Sequence, residues 1–319
     1  MRIGVIGGGA WGTALAQVAA AGGEPVLLWA REPEVVADIN SRHENRTFLA
    51  GMKLHDAVRA TETLSDLAAC DALLVVTPAQ HVRTTLASMP PLEAPLVLCA
   101  KGIEESSTRL MHEVAAEAQP NAPIAVLSGP TFAHEVAAGR PAAVPLAVAD
   151  RSVGERLRDR LARPAFRPYL SDDVAGAEIG GAVKNVLAIA CGVVEGRGLG
   201  LNARAARISR GFAEMTRFGL ARGARAETLA GLSGLGDLVL TATSEGSRNM
   251  RYGLALGRGE SFDKTVTVEG VATARAARDL GARLGIDLPV TQAVAALVEG
   301  RVGVGKALRR LLDRPLRAE

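Results

Sequence analysis

The sequence predicts an α/β fold, a doubly wound parallel sheet followed by an all-α C-terminal domain. Three observations carry this. A β-branched run, Arg2 to Ile6, passes through a glycine turn, Gly7 to Gly12, directly into a helical pattern. Apolar strand-like runs then alternate with helical stretches as far as Ser171. Beyond Ser171 the strand signal stops, and helical patterns broken by glycines follow.

At 319 residues the chain is too long for one ordinary core and suits two domains. We place a dinucleotide-binding domain at 1–174 and a helical substrate and catalytic domain at 175–319. Net charge is only +3, with basic residues scattered and no basic-aromatic interleaving, so nucleic acid is not an expected partner. Cys70, Cys99 and Cys191 lie far apart in apolar runs, which suits reduced, buried thiols in a cytoplasmic protein and gives no metal-ligand spacing. The N-terminus enters a strand at once, so no signal peptide is expected, and the apolar runs break too soon to predict a membrane span.

The first turn is the most informative local motif. Its GxGxxG spacing falls on Gly7, Gly9 and Gly12: one for the tight turn, one for backbone approach to a pyrophosphate, one for close helix packing. The N–H groups of Ala10 and Trp11 open the following helix and would face the anion. This strand-turn-helix order makes the domain Rossmann-type.

The next strand runs from Pro25 to Arg31. A free ribose 2′-hydroxyl is usually held by an acid about 20 residues past the glycines. The chain has Arg31 there, nineteen residues after Gly12, and an arginine suits a 2′-phosphate and an adenine face. NADP(H) is therefore the preferred cofactor, with NAD(H) as the alternative.

Further strands read at 71–77, 95–100 and 123–127, then at 144–148 and 166–170 around a charged helix. Ligands of such sheets bind beyond the carboxyl ends of the strands. Thr77-Pro78, Lys101-Gly102 and the turn Ser128-Gly129-Pro130-Thr131 occupy those ends. Singly each is an ordinary strand end, and their convergence carries the weight.

In the helical half, Gly180-Gly181-Ala182-Val183-Lys184-Asn185-Val186 places a lysine in an apolar helix-like run. Lysine is scarce here, five among 37 Lys plus Arg, and apolar helices rarely accept one unpaired. The bland reading is a side chain snorkelling off a buried helix. Two later stretches weigh against it. Asp237, in a glycine and leucine run, is a buried carboxylate needing a cation, and Ser247-Arg248-Asn249 has the donors a phosphate takes. Thr267-Val268-Glu269-Gly270 is a third polar stretch. The small residues before Lys184 are expected to let its helix lie close against the nicotinamide crevice.

Along its whole length the sequence resembles the bacterial NAD(P)-dependent glycerol-3-phosphate dehydrogenases, through GGGAWGTAL, CAKGIE, LSGPTFAHEVAAG, GGAVKNVLAI, NARAARISRGFAEM, GLSGLGDLVLT, SRNMRYG and VEG. The resemblance implies reversible, NAD(P)H-dependent reduction of dihydroxyacetone phosphate to sn-glycerol 3-phosphate, supplying glycerophospholipid synthesis, by a cytoplasmic homodimer. It implies that Lys184 is the catalytic proton donor and acceptor, oriented by Asp237. Lys101, Gly129, Thr131, Ser247, Arg248 and Asn249 would complete the substrate site with these two. Ala10, Trp11, Arg31, Lys101, Ala133, Arg248 and Glu269 would contact the cofactor, and no metal is implied. Two positions depart from the family pattern: Gly8 stands where Ala is more frequent, and Ala10 where Ser is frequent, leaving only backbone to contact the pyrophosphate there.

Two other readings differ in kind. One is another two-domain NADP-dependent hydroxyacid or keto-acid dehydrogenase, which substrate profiling separates. The other is a non-enzymatic NADPH-sensing module, which needs neither a buried lysine nor a phosphate-type arginine.

Overall fold

A computed structural model describes residues 1–312. The chain forms two compact units, Met1–Ala100 with Leu110–Ala177, and Lys101–Arg109 with Glu178–Glu319. A split between 174 and 175 assigns residues 101–109 to the first unit; the structure places them in the second.

In the first unit, β1 (Ile3–Ile6), α1 (Ala10–Ala20), β2 (Val26–Trp29) and α2 (Pro33–Arg42) lead to a short ribbon, β3 (Glu44–Asn45) and β4 (Leu49–Lys53). After it come β5 (Val58–Thr61), β6 (Ala72–Val75), α3 (Val82–Ala87), β7 (Leu96–Leu98), α4 (Met111–Ala118), β8 (Ile124–Leu127), α5 (Ala133–Ala137), β9 (Ala142–Val148), α6 (Arg151–Leu161) and β10 (Phe166–Ser171). Eight strands form one sheet in the order β10-β9-β8-β7-β6-β1-β2-β5. Sequence order reverses beside β1, which pairs in parallel with both β2 and β6. Ligands of open α/β sheets bind at this switch.

Alternation along the strands explains why both faces are covered. On β6, Ala72 and Leu74 pack with residues of α1, α2 and α6, whereas Leu73 and Val75 pack with residues of α3 and α4. One pairing departs from the parallel pattern: β9 runs antiparallel to β8, while β10 is parallel to β9. The connection after β8 contains only the five-residue α5. A helix of that length rises about 7.5 Å, too little to carry the chain back across the sheet, so β9 returns from the carboxyl end.

The second unit is helical: α7 (Val174–Gly196, which begins in the first unit), α8 (Gly200–Ala221), α9 (Ala226–Ala230), α10 (Asp237–Ala242), α11 (Arg248–Arg258), α12 (Glu269–Arg283), α13 (Pro289–Val298) and α14 (Val304–Leu312). One π-helical turn, Leu232–Gly236, leads into α10. By length and composition α7 could cross a membrane, but its apolar window is wholly buried inside the fold, as befits a core helix.

Glycines set how closely α7 is approached. A Cβ on Gly192 or Gly196 would overlap the backbone of α11, and one on Gly253 or Gly257 would overlap α7. The two helices therefore touch backbone to backbone, which fixes the start of α11 relative to α7. The start of α13 has a different support. Its N-cap, Leu288, has no side-chain acceptor, and Glu214 of α8 supplies one, accepting from Val290 N at 2.5 Å and Thr291 N at 3.1 Å.

Candidate active site

Lys184 lies midway along α7, 6% exposed, and Asp237, at the first position of α10, is fully buried. The Lys184 ammonium donates to Asp237 Oδ1 at 2.7 Å and to Thr241 Oγ1 at 2.8 Å. Thr241, one turn along α10, donates to the same Oδ1 at 3.2 Å. Lys101 donates to Asp237 Oδ2 at 2.6 Å. One carboxylate thus holds two ammonium groups. Two of the three N–H bonds of Lys184 are used, and the third has no protein acceptor among the described residues.

Burial explains the electrostatics. Desolvation pushes Lys184 down to about 8; the charge of Lys101 adds to the depression, and Asp237 and Glu269 oppose it. Burial by itself would raise the Asp237 carboxyl, but the charges and hydrogen bonds of Lys101 and Lys184 outweigh it and hold the group ionised. A lysine near 8 beside a fixed carboxylate can give up and retake a proton near neutral pH.

The local backbone makes the pairing feasible. A Cβ on Gly180 would lie 2.5 Å from the Ser233 carbonyl oxygen and 2.8 Å from Gly234 N. The bare backbone of α7 thus admits the turn that delivers Asp237. The close neighbour of Gly180 is therefore the π-helical turn of its own unit.

Ser247, Arg248 and Asn249 open α11. Ser247 caps the helix, accepting from Met250 N at 3.2 Å. Arg248 is exposed, and no acidic residue occupies the first turn. A cation at a positive helix end is unfavourable until an anion joins it, so this end suits a phosphate. Asn249 turns inward: its Nδ2 donates to Asn185 Oδ1 at 2.9 Å and its Oδ1 accepts from Gly270 N at 3.0 Å. Glu269 begins α12 beside that glycine.

The first unit holds Gly7, Gly9, Ala10, Trp11, Gly12, Arg31, Gly129, Thr131 and Ala133. Gly7 adopts φ 125°, a left-handed conformation, and a Cβ on Gly12 would overlap the Gly7 carbonyl. Nothing lies within 4 Å of a Cβ built on Gly9, so the turn is open on that side. No side chain caps α1 and its first turn carries no acid. The helix end is therefore formed to meet an anion. Trp11 Nε1, Thr77 Oγ1 and Ser128 Oγ are buried without a protein partner. Together these features fit a dinucleotide.

At the end of β2, Arg31 is exposed and donates to Glu32 Oε1 at 2.8 Å. Ala133, the first residue of α5, packs with Ala10 and Trp11 of α1 against the same core. Thr131 Oγ1 donates to the Gly129 carbonyl at 3.3 Å.

Sequence reasoning overlooked three residues. Thr241 was legible as the residue one turn after Asp237 on the same helix face. Asn185, 4% exposed, was legible as a second polar residue in an apolar run. Glu32 was legible too, since it stands twenty residues past Gly12, where a ribose-binding acid is usual.

Comparison with known proteins covers both units. Residues 2–154 match the family described as NAD-dependent glycerol-3-phosphate dehydrogenase N-terminus, and residues 173–309 its C-terminus. The chain is 58% identical to a glycerol-3-phosphate dehydrogenase [NAD(P)+] of Erythrobacter litoralis, covering 100% of this chain and 98% of the relative. It is 56% identical to the protein of that name from Caulobacter vibrioides, covering 100% and 98%. A crystal structure of glycerol-3-phosphate dehydrogenase from Coxiella burnetii superposes with a TM-score of 0.93 at 37% identity, covering 98% of this chain and 99% of that one.

Proposed function

The chain belongs to the NAD-dependent glycerol-3-phosphate dehydrogenase family, and from that premise we propose how its residues divide the work. The reaction is reversible, NAD(P)H-dependent reduction of dihydroxyacetone phosphate to sn-glycerol 3-phosphate, a step that supplies the backbone of glycerophospholipids.

Bound reduced nicotinamide supplies a hydride to the carbonyl carbon of the substrate. The protein must then stabilise and protonate the resulting alkoxide. Lys184 does both: its third N–H meets the oxygen as charge develops, and its proton passes across. Asp237 orients the ammonium, and Lys101 on its other oxygen leaves the three groups with a net positive charge that favours the developing alkoxide. Lys101, Gly129, Thr131 and the first turn of α11, through Ser247, Arg248 and Asn249, bind the substrate. Holding the phosphate there fixes the carbonyl, so binding energy remote from the reacting carbon sets the geometry. Gly7, Gly9, Ala10, Trp11, Gly12, Arg31, Lys101, Ala133, Arg248 and Glu269 bind the cofactor, and Arg31 favours the 2′-phosphate of NADPH.

The observation that carries this assignment is the buried Lys184–Asp237–Lys101 cluster, in which Lys184 keeps one N–H without a protein acceptor among the described residues. An absorbance assay of NADPH oxidation with dihydroxyacetone phosphate, repeated with NADH, tests it. Absence of turnover with both cofactors would sink the assignment, and a preference for NADH would overturn the role of Arg31.

We further infer a cytoplasmic homodimer. Support comes from Leu199, Leu201, Leu220 and Val239, which are exposed on the helical unit. Sedimentation velocity showing a monomer at micromolar concentration would overturn the dimer.

A further inference from the structure

Two asparagine amides of the helical unit form a chain whose direction is fixed at both ends. Gly270 N donates to Asn249 Oδ1 at 3.0 Å, Asn249 Nδ2 to Asn185 Oδ1 at 2.9 Å, and Asn185 Nδ2 to the Lys101 carbonyl at 3.2 Å. A backbone N–H only donates and a backbone C=O only accepts. Neither asparagine can reverse its amide without setting like groups face to face.

Gly270, the second residue of α12, has no room for a side chain. A Cβ there would lie 2.7 Å from Asn249 Oδ1, 2.8 Å from the Asn185 carbonyl oxygen and 2.8 Å from Ile189 Cδ1. Two of these three atoms belong to the residues of the amide chain itself.

We propose that Gly270 is a positioning residue for Lys101: it holds Asn249 in the one orientation that lets Asn185 grip the Lys101 carbonyl, keeping the Lys101 ammonium on Asp237. This rests on the active-site reading of Lys101, Lys184 and Asp237. The first turn of α12 then carries two functions at adjacent residues, a cofactor contact at Glu269 and the origin of the amide chain at Gly270.

An alanine at 270 displaces the Asn249 amide, loosens Asn185 and frees the Lys101 backbone. The ammonium then leaves Asp237. Lys184 is faced by three charged groups, Lys101, Asp237 and Glu269, and of these only Lys101 lowers its pKa. Losing Lys101 therefore moves the titration of Lys184 upward.

The scarcity of lysine makes this measurable without turnover. With five lysines in the chain, 13C-lysine labelling gives five side-chain resonances, each assignable by replacement with arginine. The full-length protein is titrated as wild type, Gly270→Ala, Asn249→Leu and Gly219→Ala. The last is a packing control, since a Cβ there would lie 2.5 Å from Leu229 Cδ1, away from the amide chain.

Lys184 is expected to titrate higher in Gly270→Ala and Asn249→Leu and as wild type in Gly219→Ala. The kcat/KM for dihydroxyacetone phosphate should fall roughly tenfold to a hundredfold in the first two, the scale of a small misplacement of a reacting group. Wild-type titration of Lys184 in both would overturn the proposal; if Gly270→Ala fails to fold, Asn249→Leu alone decides. Should wild type itself lack turnover, the active-site reading falls while the titration still judges the amide chain.

Discussion

Asn185 donates its side-chain amide to the backbone carbonyl of Lys101 at 3.2 Å, although 84 positions separate them in the sequence. The residue beside the proposed proton donor thus anchors the main chain that carries the second ammonium. Site chemistry and main-chain placement are held by neighbouring residues on one helix.

Replacing Lys184 with Met should retain the fold and lower turnover by roughly a hundredfold to ten-thousandfold, the range expected for a lost general acid. In wild type, ketone reduction needs protonated Lys184, so its rate should fall as pH rises through about 8. Oxidation of glycerol 3-phosphate needs the neutral amine and should rise through the same window. Initial rates in both directions across pH 6 to 10 check the crossing.

Asp237→Asn leaves two ammonium groups without their counter-charge. Breaking a buried pair this way costs about 3–5 kcal/mol, readable by urea unfolding. Because Asp237 raises the pKa of Lys184, its removal should also shift the alkaline loss of ketone reduction to lower pH.

Arg248→Gln should raise the KM for dihydroxyacetone phosphate roughly tenfold to a hundredfold, as expected when a charge-assisted bond worth about 1.5–3 kcal/mol is lost. The ligand-free protein should become slightly more stable, by about 0.3–1 kcal/mol, because a cation leaves a positive helix end. Opposite signs in steady-state kinetics and thermal unfolding would separate a binding residue from a structural one.

Arg31 and Glu32 are paired at 2.8 Å and should tune cofactor choice in opposite directions. Arg31→Ser removes the partner of a 2′-phosphate and should lower the NADPH to NADH ratio of kcat/KM by roughly tenfold or more. Glu32→Gln frees the guanidinium and should raise that ratio. An unchanged ratio in both variants would remove these residues from cofactor selection.

Glu214 is pushed up to about 6 by burial, against hydrogen bonds from Val290 and Thr291 and the charge of Arg217. A carboxyl with a raised folded pKa binds its proton more tightly in the folded state than in the unfolded one. Its contribution to stability is therefore full below pH 4.5 and lost as pH rises through about 6, a change of about 2 kcal/mol. Urea unfolding of wild type and Glu214→Gln from pH 4 to 7 should show the stability difference between them changing by that amount.

The legible parts of the fold were those encoded locally. Gly7 to Gly12 carry the turn, the packing glycine and the helix start within one stretch, so the sequence alone identified them. The strand Val58–Thr61 escaped because four residues, two of them polar, are too few to establish a period. The reversed direction of the Ala142–Val148 strand depends on the span of its connection, which periodicity does not report. The need of Asp237 for a lysine was readable from its burial; that it would take two, one from 136 positions away, was not. Gly270 was obscure for the same reason, since the atoms that crowd it belong to Asn249, Asn185 and Ile189 on other helices.

The placement of Lys101–Arg109 with Glu178–Glu319 has a hereditary consequence. The chain changes units at 100/101, 109/110 and 177/178, so no single crossover separates them. A gene chimaera joined once at 177/178 inherits Lys101 from one parent and Asp237 from the other. Recombination between divergent relatives keeps that pair together only when codons 101–109 travel with codons 178–319, making the Lys101–Asp237 pair a two-piece unit of inheritance.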